Sequence, residues 1–406
     1  MDYLDAALAF LLAMAIAAAL TPAAARFARR LGVLSPSRDR DLGVPDTPQL
    51  GGLAILAGVV VAAFVFLPGT IRLAHTAGAR PGSHGTIHTW AIVAGACAIT
   101  VVGAVDDALE LTVPWKLLGQ LVAAGVAVAG GVVVTDLTLP FVGSLTFPHE
   151  GWVLSLIWLV GMMNVVNFSD GVDGLAAGLC AIDGVAFAII AFDLGAGSAA
   201  VLAALTAGAS LGFLFHNRYP ASSFMGDTGA NLLGYLLGVV SIIGSLKTNT
   251  LLALLLPLCI LAVPFLNIGF VVTKRVKSGR MPWVSGSEHF HNRMARIGYS
   301  QPRIVAYLYG WAVMFAGVAL ALRFVPYSDH HGHYRLGWSL VIGAIIVIAL
   351  AVSTYLAYLL EIPKFKPRAA IRVRRMIADR RMIADERRPG AAAVPAPPAG
   401  DGTLER

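Results

Sequence analysis

The chain has 406 residues, of which 57% are hydrophobic and only 13% charged, with a formal net charge of +7. A mean hydropathy of +0.75 excludes a soluble globular protein, which has no way to enclose so much apolar surface. What remains is an all-α, polytopic integral membrane protein, because each crossing takes about 20 mostly apolar residues and lipid leaves no backbone polar group unpaired.

The first apolar run, Leu4 to Ala25, carries Asp2 and Asp5 at its leading end and no basic residue before it. A signal peptide needs a positive start, so the run is expected to be a retained helix. Three more spans are expected at Gly51 to Leu67, Trp90 to Val105 and Leu117 to Val134. Four follow at Trp152 to Val166, Leu175 to Phe192, Ala199 to Phe215 and Ala230 to Leu246, and three at Leu251 to Val272, Ile304 to Leu322 and Gly337 to Leu360. Cys97, Cys180 and Cys259 lie far apart inside apolar runs and read as packing residues. Asp183, the one acid well inside a span, is expected to hydrogen-bond a neighbouring helix.

Eleven spans put the termini on opposite sides. All but five of the 30 Lys and Arg (Arg72, Arg80, Lys247, Arg323 and Arg335 are the exceptions) then fall on one face, which the positive-inside rule makes cytoplasmic, with the N-terminus outside. The basic excess thus describes topology and calls for no nucleic acid. The external loops at 68–89 and 135–150 carry no clustered charge, and His330, His331 and His333 read as part of a solvated loop. Residues 1–360 form the membrane domain. The tail, 361–406, is basic and Pro/Ala-rich, with the repeat Arg374-Arg-Met-Ile-Ala-Asp379, Arg380-Arg-Met-Ile-Ala-Asp385. It is expected to lie against anionic headgroups or to be disordered.

Four polar stations fall on the basic face, after the third, fifth, seventh and ninth spans. Asp106 and Asp107 end the third span; adjacent carboxylates repel, and a hard divalent cation with oxygen ligands relieves them. Lys116 opens the next span, either as an interface anchor or as a neutraliser of phosphate. Asn164 and Asn167 share a helical face, as do Asp170 and Asp173 on a helical start, and amides suit a nucleobase or sugar hydroxyls. A polar inter-helix turn would use the same residue types. Phe224-Met-Gly-Asp227-Thr-Gly places an aromatic three residues before an acid. Glu288-His289-Phe-His291-Asn-Arg293 gathers imidazoles and a guanidinium suited to an anion.

Taken in order, Val102-Gly-x-x-Asp106-Asp107, Asn164-x-x-Asn167-x-x-Asp170-Gly-x-Asp173-Gly, Phe224-Met-Gly-Asp227-x-Gly and His289-x-His291-x-Arg293 resemble the polyprenyl-phosphate N-acetylhexosamine-1-phosphate transferases. The branch resembled primes O-antigen, enterobacterial common antigen, teichoic acid or arabinogalactan linkers; the branch that uses UDP-MurNAc-pentapeptide fits the His-x-His-x-Arg loop less well. The chain departs at Pro48-Gln49-Leu50-Gly51-Gly52, where the family usually has Arg in place of Gln49. The resemblance implies transfer of a sugar 1-phosphate, GlcNAc above others, from a UDP-sugar to a polyprenyl phosphate in a bacterial plasma membrane, with release of UMP. It implies Mg²⁺, or Mn²⁺ in its place, near Asp107, Asp227 and Asn167. Asp106, Asp107 and Asp227 become the catalytic acids, and Phe224 the ring that stacks on uracil. Asn164, Asn167, Asp170 and Asp173 surround the nucleotide, while Lys116, His289, His291 and Arg293 hold phosphate or sugar. It admits a homodimer. The rival from another class is a lipid or solute transporter, which would place ionisable groups at mid-membrane.

Overall fold

A computed structural model describes residues 2–35, 46–72, 86–134, 150–245, 298–326 and 335–361, with short pieces at 136–139, 143–147, 261–262, 265–266 and 294–295. The helices described are α1 (Tyr3–Leu31), α2 (Gly52–Phe66), α3 (Thr89–Leu109), α4 (Val113–Ala129), α5 (Gly151–Asn167), α6 (Leu175–Asp193), α7 (Gly197–Asn217), α8 (Gly226–Ser245), α9 (Gln301–Phe324) and α10 (Leu336–Glu361). Seven are long and apolar enough to cross a membrane, while α2, α4 and α5 are apolar but shorter. They coincide with ten of the expected spans. Of the ninth, Leu251 to Val272, only 261–262 and 265–266 are described, so the total of eleven lies outside the described residues. The protein is thus a multi-pass, mainly helical membrane protein.

Short antiparallel pairs occupy the connections: β1 (Leu34–Ser35) with β2 (Thr47–Pro48), β3 (Thr70–Arg72) with β4 (Thr86–His88), and β5 (Asp136–Leu139) with β6 (Gly143–Thr146). The loops expected to be external, at 68–89 and 135–150, thus each hold an antiparallel strand pair. In β3 and β4 the buried Ile71 and Ile87 alternate with exposed Thr70 and Thr86, a half-buried ladder too short to stand out beside the spans.

The core lies around α7 and α8. In α8, 89% of the apolar window is buried, against 17% in α10. Helices α3 and α5 pack on α8, α1 and α6 pack on α7, and α9 and α10 add successive outer layers on α6. Small residues set the spacing: α1 turns Ala6, Ala9, Ala13, Ala17 and Ala24 inward. On α7, Gly208 and Gly212 rest against the carbonyls of Phe10 and Met14. Membrane helices pack by such close approach because lipid supplies no hydrophobic drive between them. The outward Leu, Val and Trp side chains of α4 and α10 face lipid.

The start of α2 is sewn to the segment before α8. The Phe224 N–H donates to Pro48 O (2.9 Å), while those of Gly51 and Gly52 donate to Phe224 O (3.0 Å) and Met225 O (3.2 Å). A Cβ on Gly52 would stand 2.3 Å from the Gly229 nitrogen, a backbone atom with nowhere to move. Gly52→Ala is therefore expected to lower stability by about 2 kcal/mol through overpacking, read as a depressed thermal midpoint in detergent. A midpoint equal to wild type would refute the tight crossing.

Asp183 corrects an expectation. It is fully buried in α6, yet neither carboxylate oxygen has a hydrogen-bond partner among the described residues. Beside its neighbour Gly184, α7 presents Ala203 and Ala207, whose side chains carry no donor.

Candidate active site

The end of α3, the start of α4, the end of α5, the turn before α6 and the start of α8 converge. A cavity of about 150 Å³ opens there, walled by Asp107, Asn167, Asp170, Asp173, Phe224 and Asp227, with Ser35 and Gln49 contributed by the connection between α1 and α2. Three of the four polar stations thus meet as the parity of the spans requires. The fourth, with His289, His291 and Arg293, lies outside the described residues.

Helix α8 begins earlier than its apolar run, because Gly226 turns the chain (φ 65°) and Asp107 receives the helix start. Asp107 Oδ1 accepts the Asp227 N–H (2.8 Å). Its Oδ2 accepts the Thr228 N–H (3.0 Å) and hydroxyl (2.5 Å). A carboxylate at a helix N-terminus satisfies free N–H groups and sits at the positive end of the dipole. Here it comes from a residue 120 positions away. A Cβ on Gly226 would lie 2.3 Å from Asp107 Oδ2, so glycine is needed for the contact as well as the turn.

Held this way, Asp227 meets two partners. Lys116, in the first turn of α4, bridges it to Asp106 (2.9 Å to Asp106 Oδ2). Asn167, at the end of α5, donates from Nδ2 to Asp227 Oδ1 (2.5 Å). Asp106 also accepts the Leu111 N–H (2.9 Å). Lys116 starts inside a helix because Pro114 opens α4, a position where proline's missing donor costs nothing. Lys116 is therefore an ion-paired residue rather than the interface anchor that was one of its two expected roles. One turn below, Asn164 donates to Gln120 Oε1 (2.8 Å) and Val160 O (2.8 Å), Gln120 donates to Asn231 Oδ1 (3.0 Å), and Asn231 donates to Asp227 O (2.9 Å).

Asp170 and Asp173 lie in a turn rather than on a helical start, since α6 begins only at Leu175 after Gly174 at φ 79°. That turn is fastened from two helices. Gly174 donates to Asn217 Oδ1 (3.0 Å) and its carbonyl accepts the Tyr309 hydroxyl. Asp173 Oδ2 accepts the Ala221 N–H (3.1 Å). Sequence reading did not find Asn217, Tyr309, Thr228, Asn231 or Ser35. Each is a polar residue inside or beside an apolar run, and that interruption was the available signal.

The donor set tests the fit of a divalent cation. Among the described residues no three His, Cys, Asp or Glu form a closed cluster. Magnesium asks for less: one or two carboxylates, with water and substrate phosphate completing an all-oxygen shell. Asp227 beside Asn167 on the cavity wall meets that requirement. Both oxygens of Asp107 already serve the start of α8.

Comparison with known proteins gives the same direction. Residues 89–245, the stretch from α3 to α8, match Glycosyl transferase family 4. The chain is 32% identical over 319 residues to a probable undecaprenyl-phosphate N-acetylglucosaminyl 1-phosphate transferase of Bacillus subtilis, covering 78% of this chain and 84% of that one. It is 34% identical over 351 residues to a decaprenyl-phosphate N-acetylglucosaminephosphotransferase of Mycobacterium tuberculosis, covering 80% and 82%. A phospho-N-acetylmuramoyl-pentapeptide-transferase of Desulforamulus reducens is 30% identical over 339 residues, covering 79% and 96%. With its ordered acidic motifs gathered at one end of the bundle and relatives aligned along most of its length, the chain belongs to glycosyl transferase family 4, the polyprenyl-phosphate N-acetylhexosamine-1-phosphate transferases.

Proposed function

We propose that the protein transfers GlcNAc 1-phosphate from UDP-GlcNAc to a membrane polyprenyl phosphate, as the first membrane step of a cell-envelope polysaccharide, on the cytoplasmic face of a bacterial plasma membrane. The observation that carries this reading is the joining of Asp227 to Lys116 and Asn167 at the wall of a cavity shared with Asp170, Asp173 and Phe224. The activities named for the Bacillus and Mycobacterium relatives support it. The charged groups of the cavity sit at helix ends, which suits an enzyme at the membrane edge better than a transporter with a mid-membrane site.

An oxygen of the polyprenyl phosphate attacks the β-phosphorus of UDP-GlcNAc. The bond from that phosphorus to the bridging oxygen breaks, and UMP leaves with the electron pair, giving polyprenyl-pyrophosphoryl-GlcNAc. Little covalent work falls to the protein; alignment and charge neutralisation supply the rate. Mg²⁺ held by Asp227 and Asn167 would draw charge from the phosphate oxygens. Lys116 balances Asp106 and Asp227 and offers its remaining donor capacity to phosphate. Asp106 orients the attacking phosphate or takes its proton. Phe224 stacks on uracil, while Asp170 and Asp173 face the nucleotide's hydroxyls. Asp107 keeps Asp227 at the head of α8.

Purified protein given UDP-GlcNAc, polyprenyl phosphate and Mg²⁺ is expected to release UMP, and to stop when any one is withheld or a chelator is added. Release from UDP-MurNAc-pentapeptide alone would overturn the sugar assignment, and uptake without turnover would favour transport.

A further inference from the structure

Lys116 and Gln120 are one turn apart on α4, Asp227 and Asn231 one turn apart on α8, and Asn167 and Asn164 one turn apart on α5. Residues three and four apart share a helix face, so each helix offers the same neighbours one residue at the site and one beneath it. The upper residues form the set Lys116, Asp227 and Asn167. The lower ones form a second, uncharged set, Gln120, Asn231 and Asn164, linked at 3.0 and 2.8 Å.

We infer that this lower tier is a positioning layer for the reaction, with Gln120 as its centre. Gln120 and Asn231 are each only 1% exposed, so these side chains lie beneath the site, and neither contributes to the cavity wall. Gln120 joins the other two: its amide nitrogen binds Asn231 while its oxygen accepts from Asn164. Asn231 passes the constraint upward through its bond to the Asp227 carbonyl. A slip of α4 along its axis would break both bonds at Gln120, and a slip of α8 the one to Asn231, leaving buried amides unpaired at a cost of about 1–3 kcal/mol each. Opposite charges alone give no such register, since an ammonium on a flexible stem follows its carboxylates through small slips. Asn164, expected at the nucleotide, is by this inference a member of the supporting tier.

This inference rests on the proposed reaction, and its test separates the two. Gln120→Met keeps the length and removes both hydrogen bonds. Turnover for UMP release is expected to fall on the order of 10-fold to 100-fold, the size of a sub-ångström to ångström misplacement, with KM for UDP-GlcNAc unchanged. Asn231→Leu should do the same. The double variant should fall no further than either single one, as residues acting as one pair do, and it replaces both partners by apolar groups of like shape, which guards its fold. Full turnover in Gln120→Met, or additive losses in the double variant, would overturn the inference; so would a rise in KM with turnover unchanged. Hydrogen exchange of the first two turns of α8 reads the same tier without substrate. It should quicken in Gln120→Met, and unchanged exchange would count against the tier even if wild-type protein released no UMP, an outcome that would end the proposed reaction instead.

Discussion

Asp227→Asn is expected to cut Mg²⁺-dependent UMP release about 10³-fold, the scale of removing a principal electrostatic contact. The fold should survive, because the α8 start is held through the Asp227 and Thr228 N–H groups and the Thr228 hydroxyl, all of which remain. Lys116 keeps its bond to Asp106. The amide removes the negative charge needed by a metal while leaving an oxygen that can still accept from Asn167. Radiolabelled UDP-GlcNAc, with gel filtration and a thermal midpoint for the fold, measures both halves. Activity within a few-fold of wild type would remove Asp227 from the proposed metal site.

Lys116→Met should have the second-largest effect, and of a different kind. Lys116 is the cation bridging Asp106 and Asp227, and their side chains are only 10% and 28% exposed. Without it two carboxylates confront each other beside a site that, under the proposed reaction, admits a dianionic lipid phosphate and a pyrophosphate. Turnover is expected to fall about 10²-fold, and stability by about 2 kcal/mol, the usual worth of hydrogen bonds to charged groups. Arginine should not rescue it, because a planar fork does not replace a compact ammonium between two acids. Adding Asp106→Asn to Lys116→Met should recover part of the stability and none of the turnover. Wild-type turnover in Lys116→Met would show the bridge to be incidental.

The spans were legible because lipid imposes length and apolarity on every one of them. Their ends were less so. Hydropathy puts the start of α4 at Leu117 and that of α8 at Ala230, yet both helices begin four residues earlier, at Val113 and Gly226, where polar residues blur the hydropathy edge. That shift moves Asp227 from a turn onto a helix and sets Lys116 inside the first turn of α4, which gives both fixed directions. The convergence of Asp107, Asn167, Asp173 and Phe224 followed from span parity. The division of labour between Asp106 and Asp107 did not, because two adjacent acids look alike until α8 arrives to claim one. Gln120 with Asn231, and Asn217 with Gly174, were hidden for the same reason, being hydrogen bonds across 111 and 43 positions.

Helices α4 and α5 are 17 residues each, which at 1.5 Å per residue is about 25 Å, short of the roughly 30 Å hydrocarbon slab. Both carry site residues at one end, Lys116 and Asn167. Thinning of the lipid beside a short helix is one way to match it, and it would bring the headgroup plane down to these two side chains. Under the proposed reaction, a phosphate tethered to a long isoprenoid would reach Lys116 by drifting down that slope, its tail never leaving oil.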